Sequence, residues 1–179
     1  PGMHNVENYM AAFAAVRGLV SAETMDAVAR SFHGVEHRIE RIRVRRGVRW
    51  YNDSIASSPS RTIAGLRSFP EKVILIAGGK DKGISYDAIG PEINEHVKYL
   101  ILCGATAGVI RESVQKAPNY TGLPIREVQD YHEAVALADE VSGAGDVVIL
   151  SPASTSFDRF ANFMERGRVF KDIVNALPD

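Results

Sequence analysis

Val73-Ile74-Leu75-Ile76-Ala77-Gly78-Gly79 decides the fold class: five apolar residues run without a polar break into a pair of glycines. A strand that alternates apolar and polar residues has one wet face. A continuous apolar run belongs to a strand covered on both faces, as in a parallel sheet. Two more runs have this character. Val97 to Cys103 ends at Gly104, and Val147-Val148-Ile149-Leu150 ends at Ser151-Pro152. Helical patterns follow such runs. Asp130 with Glu133 forms a capping box ahead of an alanine-rich segment, and Phe160, Phe163, Gly167, Phe170 and Val174 line one face of a last helix. The alternation predicts an α/β fold, an open, Rossmann-like, mostly parallel sheet with helices on both faces and right-handed crossovers.

Upstream, residues 38–53 approach a period of two (Ile39, Arg41, Ile42, Arg43, Val44, Arg45, then Val48, Arg49, Trp50), broken at Arg46-Gly47 by a hairpin turn. Six arginines between 38 and 49 read as a solvated strand face guarding a sheet edge. No aromatic ladder is interleaved with them, as a single-strand nucleic-acid site would want. A small-residue loop, Ser54 to Ser58, leads to Pro59 at the first position of a helix. Further upstream, Val6, Tyr9, Met10 and Phe13 mark a helix over 5–17, and Gly18 serves as its C-cap. Ser21 then caps a second helix carrying Met25, Val28, Ala29 and Phe32. The sheet is thus preceded by a helical hairpin too small to bury its own apolar face.

Composition narrows the classes. The 179 residues amount to one domain with an appended piece, and a net charge of −1 gives no global field for nucleic acid or an anionic membrane. The lone cysteine, Cys103, excludes a disulfide framework and a multi-cysteine zinc site. No apolar run reaches the ~18 residues of a membrane span and no signal segment opens the chain, so the expected compartment is the cytoplasm. The chain enters a helical pattern directly from Pro1, which reads as a piece of something longer.

In open α/β sheets, ligands bind beyond the carboxyl ends of the strands. Three loops qualify: Gly78 to Gly83, Gly104 to Gly108, and Ser151 to Asp158. The first lacks the spacing of a phosphate loop and the second lacks the dinucleotide fingerprint, so self-sufficient nucleotide hydrolysis and NAD binding are not expected. Lys82, in a glycine-framed turn, offers a mobile ammonium for a carboxylate; the plain alternative is a solvated turn. Ser151, Ser154, Thr155 and Ser156 precede the last helix, where free amides favour an anion and where one of these hydroxyls should be the helix cap. His4, His33, His37, His96 and His132 show neither metal-ligand spacing nor a nucleophile arrangement. The residues by themselves lead to an α/β domain with an anion-binding rim.

Taken in order, the motifs resemble the Mur ligase family. His4-Asn5-Val6-Glu7-Asn8 is similar to the family's His-Asn-x-x-Asn element, and residues 32–40 (Phe-His-Gly-Val-Glu-His-Arg-Ile-Glu) to its interdomain junction. Asn52-Asp53-Ser54-Ile55-Ala56-Ser57 resembles the Asn-Asp-Ser-Lys-Ala-Thr loop. Gly78-Gly79-x-x-Lys82, and the stretch from Leu150 to Gly167, complete the set and are most similar to the D-glutamate-adding members. The resemblance implies an ATP-driven amide ligase. By that resemblance, ATP would phosphorylate the carboxylate of UDP-N-acetylmuramoyl-L-alanine, and the amine of D-glutamate would attack the acyl phosphate, releasing phosphate.

It further implies that residues 1–34 are the helical tail of a central ATPase domain and 35–179 the C-terminal Rossmann-like domain. Ser57, Lys82, Ser156, Phe157 and Phe163 then match D-glutamate-binding positions, and Asn8, Arg38 and Asp53 match positions around ATP. Mg2+ would accompany ATP with its ligands mostly elsewhere, and no residue here takes a catalytic or metal-ligating role. The full-length protein is expected to be monomeric, without nucleic-acid or membrane partners, and the fragment inactive alone. One departure stands out: the loop's lysine is Ile55 here, so either Lys80 supplies that charge or the site is arranged differently. Two alternatives remain, a non-catalytic module that grips a small acidic ligand, and a Mur ligase with another amino-acid substrate.

Overall fold

A computed structural model describes residues 3–32 and 34–179. His33 of the junction motif lies outside the described residues, and of His4 and Asn5 only the backbone is described. Two helices, α1 (Met3–Ala15) and α2 (Ala22–Ser31), come first. Ser21 caps α2 as its sequence position predicts, its hydroxyl accepting from Thr24 N–H at 3.2 Å. Gly18, with φ +86°, turns the chain between the helices; α1 ends three residues before it, so it is not the immediate C-cap. Tyr9 meets Phe32 edge to face at 6.2 Å, which closes the helical pair. Val6, Met10, Val28 and Phe32 nevertheless remain exposed and α2 buries no residue, as expected of a hairpin too small for a core of its own.

The remainder is a single six-stranded sheet built from β1 (Glu40–Arg45), β2 (Val48–Asn52), β3 (Val73–Ala77), β4 (Val97–Cys103), β5 (Ile125–Val128) and β6 (Val147–Leu150). Its order is β1-β2-β6-β3-β4-β5, with only the β1–β2 pair antiparallel. Arg46 and Gly47, both at positive φ, make the tight turn of that hairpin. Helices α3 (Pro59–Leu66), α4 (Ile89–His96) and α5 (Ala107–Lys116) cover one face; α6 (Tyr131–Val141) and α7 (Phe163–Asn175) cover the other. The apolar runs divide by parity. Val73, Leu75 and Ala77 join the α3–α5 core, while Ile74 and Ile76 join the α6–α7 core; β4 and β6 split in the same way. No described helix is long and apolar enough to cross a membrane.

The arginine-rich strand β1 is the sheet edge, as expected, and its arginines are mostly engaged internally. Arg43 donates to the carbonyls of Val174, Asn175 and Leu177 and pairs with Asp179 at 2.7 Å. Arg45 is buried against Asp139, Arg46 shares that carboxylate, and Arg49 pairs with Glu71. This network fastens the edge to α6 and to the end of α7.

Two expectations about the last helix are corrected. Phe160 lies before α7, in a turn where it packs against Tyr131 at 5.7 Å. The cap is Asn162, whose side chain accepts from Glu165 N–H at 2.9 Å, so none of the hydroxyls at 151, 154, 155 and 156 caps the helix. Strand β5 was not expected; the segment Ile-Arg-Glu-Val is an edge with only half-buried apolar ends.

Candidate functional site

The sheet has a switch point between β3 and β6. These neighbours are parallel, but the chain leaves β3 toward α4 on one face and leaves β6 toward α7 on the other. Loops that diverge in this way open a crevice at the carboxyl edge. Here the crevice is bordered by Gly78–Gly83, by Gly104–Thr106, by Ser151–Phe157 and, after β2, by Asp53–Ser58.

Close backbone approach joins the first three loops. Gly78 donates to Pro152 O at 2.8 Å, and Lys80 and Thr155 exchange both backbone hydrogen bonds at 2.9 and 3.1 Å. Gly79 has φ +151°, and a Cβ there would stand 2.2 Å from Thr155 O. Three buried hydroxyls lock the centre: Ser154 Oγ meets Tyr86 Oη at 2.9 Å and Thr106 Oγ1 at 2.8 Å, while Thr106 Oγ1 accepts from Gly79 N–H at 3.1 Å. The loop after β2 is fastened by Arg166 of α7, which is 1% exposed. Its guanidinium donates to Ser54 Oγ, Ser54 O and Ser154 O at 3.0, 2.8 and 3.1 Å, and burial lowers its pKa from the ordinary arginine value. Ser54 Oγ in turn donates to Phe163 O at 2.7 Å.

This scaffold brings several of the sequence-predicted residues together. Lys82 Nζ lies 3.4 Å from Ser57 Oγ, so the two side chains from different loops share one place on the rim. Ser156 is buried next to the Lys80–Thr155 pairing, its carbonyl accepting from Arg159 and Phe160 N–H. Phe163 is half-buried, edge-on to His37 at 6.0 Å, and Phe157 is 62% exposed. Arg38 and Asp53 share a cleft of about 230 Å3 with Ile39, Ile55, Ala56, Arg61, Ala64 and Gly65. Asn8 is exposed on α1, and no hydrogen bond among the described residues joins it to that cleft. Tyr86 and Thr106 carry no sequence signal, and Arg166 stands in the stretch that resembles the family but with no role assigned; what they do is tertiary and appears only where the loops converge.

Asp53 is the most perturbed group of the cleft. Burial pushes its carboxyl up to about 7, against the opposing bonds from Ser151 Oγ–H (2.8 Å) and Ile39 N–H (3.2 Å) and the charges of Arg38 and Arg61. The bond to Ile39 has a conformational counterpart. Ile39 has φ +46°, a costly region for a β-branched residue, and the carboxylate together with burial of the side chain holds it there.

Asp53 binds its proton more tightly folded than unfolded. Its contribution to stability is therefore full below the ordinary value of 3.8 and is lost as pH rises through about 7. Asp53→Asn keeps an acceptor for Ile39 and a partner for Ser151 but cannot ionise. Urea unfolding from about pH 5 to about pH 8 should show the native chain losing on the order of a few kcal/mol relative to Asp53→Asn. Equal pH slopes for the two proteins would contradict this.

Glu36, His37 and Glu40 bring ligand atoms within 4.8 Å of one another. Lys171 Nζ already donates to both carboxylates, at 2.9 and 2.6 Å, so an ammonium occupies the place a cation would take. His37 is held by Asn52 Nδ2 at 2.8 Å and packs against Gly167, and burial lowers its pKa against the opposing charges of Glu36 and Glu40.

Comparison with known proteins follows the same lines. The family model described as "Mur ligase, glutamate ligase domain" matches residues 37–154. UDP-N-acetylmuramoylalanine–D-glutamate ligases of Acetivibrio thermocellus and Ruminiclostridium cellulolyticum are each 55% identical over 99% of this chain. The chain spans 39% of the length of either relative. Among solved structures, a murein peptide ligase from Psychrobacter arcticus superposes with a TM-score of 0.58 at 18% identity, over 99% of this chain and 38% of its own, a likeness of fold. With a family match over residues 37–154 and relatives at 55% identity along nearly its whole length, this chain belongs to the Mur ligase family.

Proposed function

We propose that the chain is the C-terminal part of an ATP-dependent amide ligase that adds D-glutamate to UDP-N-acetylmuramoyl-L-alanine in the cytoplasm, during synthesis of peptidoglycan precursors. The observation that carries this reading is the meeting of Lys82 with Ser57 at 3.4 Å on a rim shared with Ser156. A dicarboxylate has two ends to hold. The ammonium and hydroxyl at Lys82 and Ser57 suit one; Ser156 with the amides around Phe157 and Phe163 suits the other. Holding both ends fixes the amine, so positioning is the main contribution of this part to the rate. The relatives' activity as D-glutamate ligases, at 55% identity, supports the choice of amino acid.

Asn8, Arg38 and Asp53 serve the nucleotide in this reading. What supports this is the cleft's lining, in which Arg38 and Arg61 stand with the buried Asp53 carboxyl, and Gly65 packs so close to it that a Cβ would stand 3.0 Å from Asp53 Oδ2. ATP supplies the phosphoryl group that activates the muramoyl carboxylate. Mg2+ would accompany ATP, held by its phosphates, waters and one or two carboxylates, with its protein ligands expected mostly outside this chain. Residues 1–34 are assigned to the tail of the central ATPase domain and 35–179 to the C-terminal domain, which the start of the family match at residue 37 supports.

Calorimetric titration of the full-length protein with D-glutamate, lysine and diaminopimelate tests the reading. Saturable heat is expected with D-glutamate alone, accompanied by ATP-dependent phosphate release once the muramoyl substrate is present. Binding of a diamino acid instead would move the protein to another branch of the family. Binding of D-glutamate without phosphate release would make the chain part of a non-catalytic module. The chain by itself, with no phosphate loop, should release no phosphate.

A further inference from the structure

Arg61 opens no obvious role from its sequence position, in the first turn of α3. Yet it lines the same cleft as Arg38 and Asp53. Neither guanidinium makes a hydrogen bond or ion pair among the described residues; Arg17, Arg41, Arg126 and Arg168 share that, but Arg38 and Arg61 alone of these line the cleft around the buried Asp53. Both act by charge on the buried Asp53 carboxyl. The cleft therefore combines a buried acceptor, two unspent cations and the apolar walls of Ile55, Ala56 and Ala64.

Its electrostatics limit what can bind. A simple carboxylate would meet Asp53 as well as the arginines, and a neutral nucleoside would leave both guanidiniums without an anion. A nucleoside polyphosphate satisfies the whole set, with hydroxyls donating to Asp53 and phosphate oxygens accepting from arginine forks. We propose that Arg61 binds a phosphate oxygen of the nucleotide across the cleft from Arg38, and so supplies, from helix α3, the cation that the preceding loop lacks at Ile55. Lys80 is less suited to that task, since its backbone is paired to Thr155 on the other loop. The inference rests on the nucleotide reading of the Asp53 cleft.

The test is calorimetry on the full-length protein with ADP, adenosine and D-glutamate. Arg61→Ala should weaken ADP by roughly five- to twentyfold while leaving adenosine and D-glutamate unchanged, and Arg61→Lys should recover part of the loss. Arg61 is exposed, so neither variant disturbs the core. Asp53→Asn, run alongside, should weaken ADP and adenosine alike. If Asp53→Asn weakens both ligands but Arg61→Ala weakens neither, or weakens both equally, the role of Arg61 is overturned and the nucleotide reading stands. If Asp53→Asn and Arg61→Ala both leave ADP unchanged, the cleft is not the nucleotide site and both ideas fall together.

Discussion

Lys82→Ala in the full-length protein is expected to raise the D-glutamate constant ten- to a hundredfold. The contact at stake is a charge-assisted one, typically worth ~1.5–3 kcal/mol. Its setting favours that range. The Lys80–Thr155 pairing holds the base of the loop, and Ser57 Oγ stands 3.4 Å from the ammonium, so the cation is already aimed at the rim. Nucleotide affinity should be unaffected, because Asn8, Arg38 and Asp53 lie on other elements. Lys80→Ala is the internal comparison and should be milder. An unchanged constant in Lys82→Ala with a raised one in Lys80→Ala would show that the loop presents the wrong lysine in this account.

The second large effect is on the scaffold. Gly79→Ala places a methyl 2.2 Å from Thr155 O at a backbone angle that side chains rarely adopt. Relief requires parting the loops after β3 and β6, at the expense of the Lys80–Thr155 pair and the Gly79–Thr106 bonds. A loss of ~3 kcal/mol or more in equilibrium unfolding is expected, together with loss of D-glutamate binding. Gly83→Ala isolates the cause. Its φ of +71° is also left-handed, but nothing lies within 4 Å, so only the conformational cost of ~1 kcal/mol should appear. Equal destabilisation by the two would mean that backbone angle, not close approach, governs this loop.

How far the sequence carried the fold depends on how local the signal was. The runs at 73–77, 97–103 and 147–150 are buried on both faces, and unbroken hydrophobicity announces that environment directly. Asp130 and Pro59 act within one helical turn and appear where expected, although the Glu133 carboxylate reaches back to Gln129 N–H. β5 escaped notice because Arg126 and Glu127 point to solvent from an edge strand, leaving too short an apolar pattern. The cap of α7 was misplaced because several hydroxyls and one asparagine lie within a dozen residues, and only the packing of the loop selects Asn162. Lys82 and Asp53, proposed for the rim and the cleft, stand in short motifs and could be singled out by resemblance. The clamp of Arg166 and the bonds of Tyr86 and Thr106 to Ser154 could not, since they arise between segments far apart in sequence.

The place of β6 has a consequence for how the molecule comes into being. It is the last strand in the chain yet lies between β2 and β3, which touch each other only through it. During synthesis the β1–β2 hairpin and the β3–β4–β5 group can form early, but each must wait with an open flank. Pairings of such long sequence separation close slowly, and unpaired strand flanks are where nascent chains associate wrongly. A ribosome that stalls before Val147 leaves two half-sheets with sticky inner borders and no crevice. The rim formed by the loops after β3 and β6 is assembled by the same late event that seals the sheet, so the proposed binding site arrives only with the completed fold.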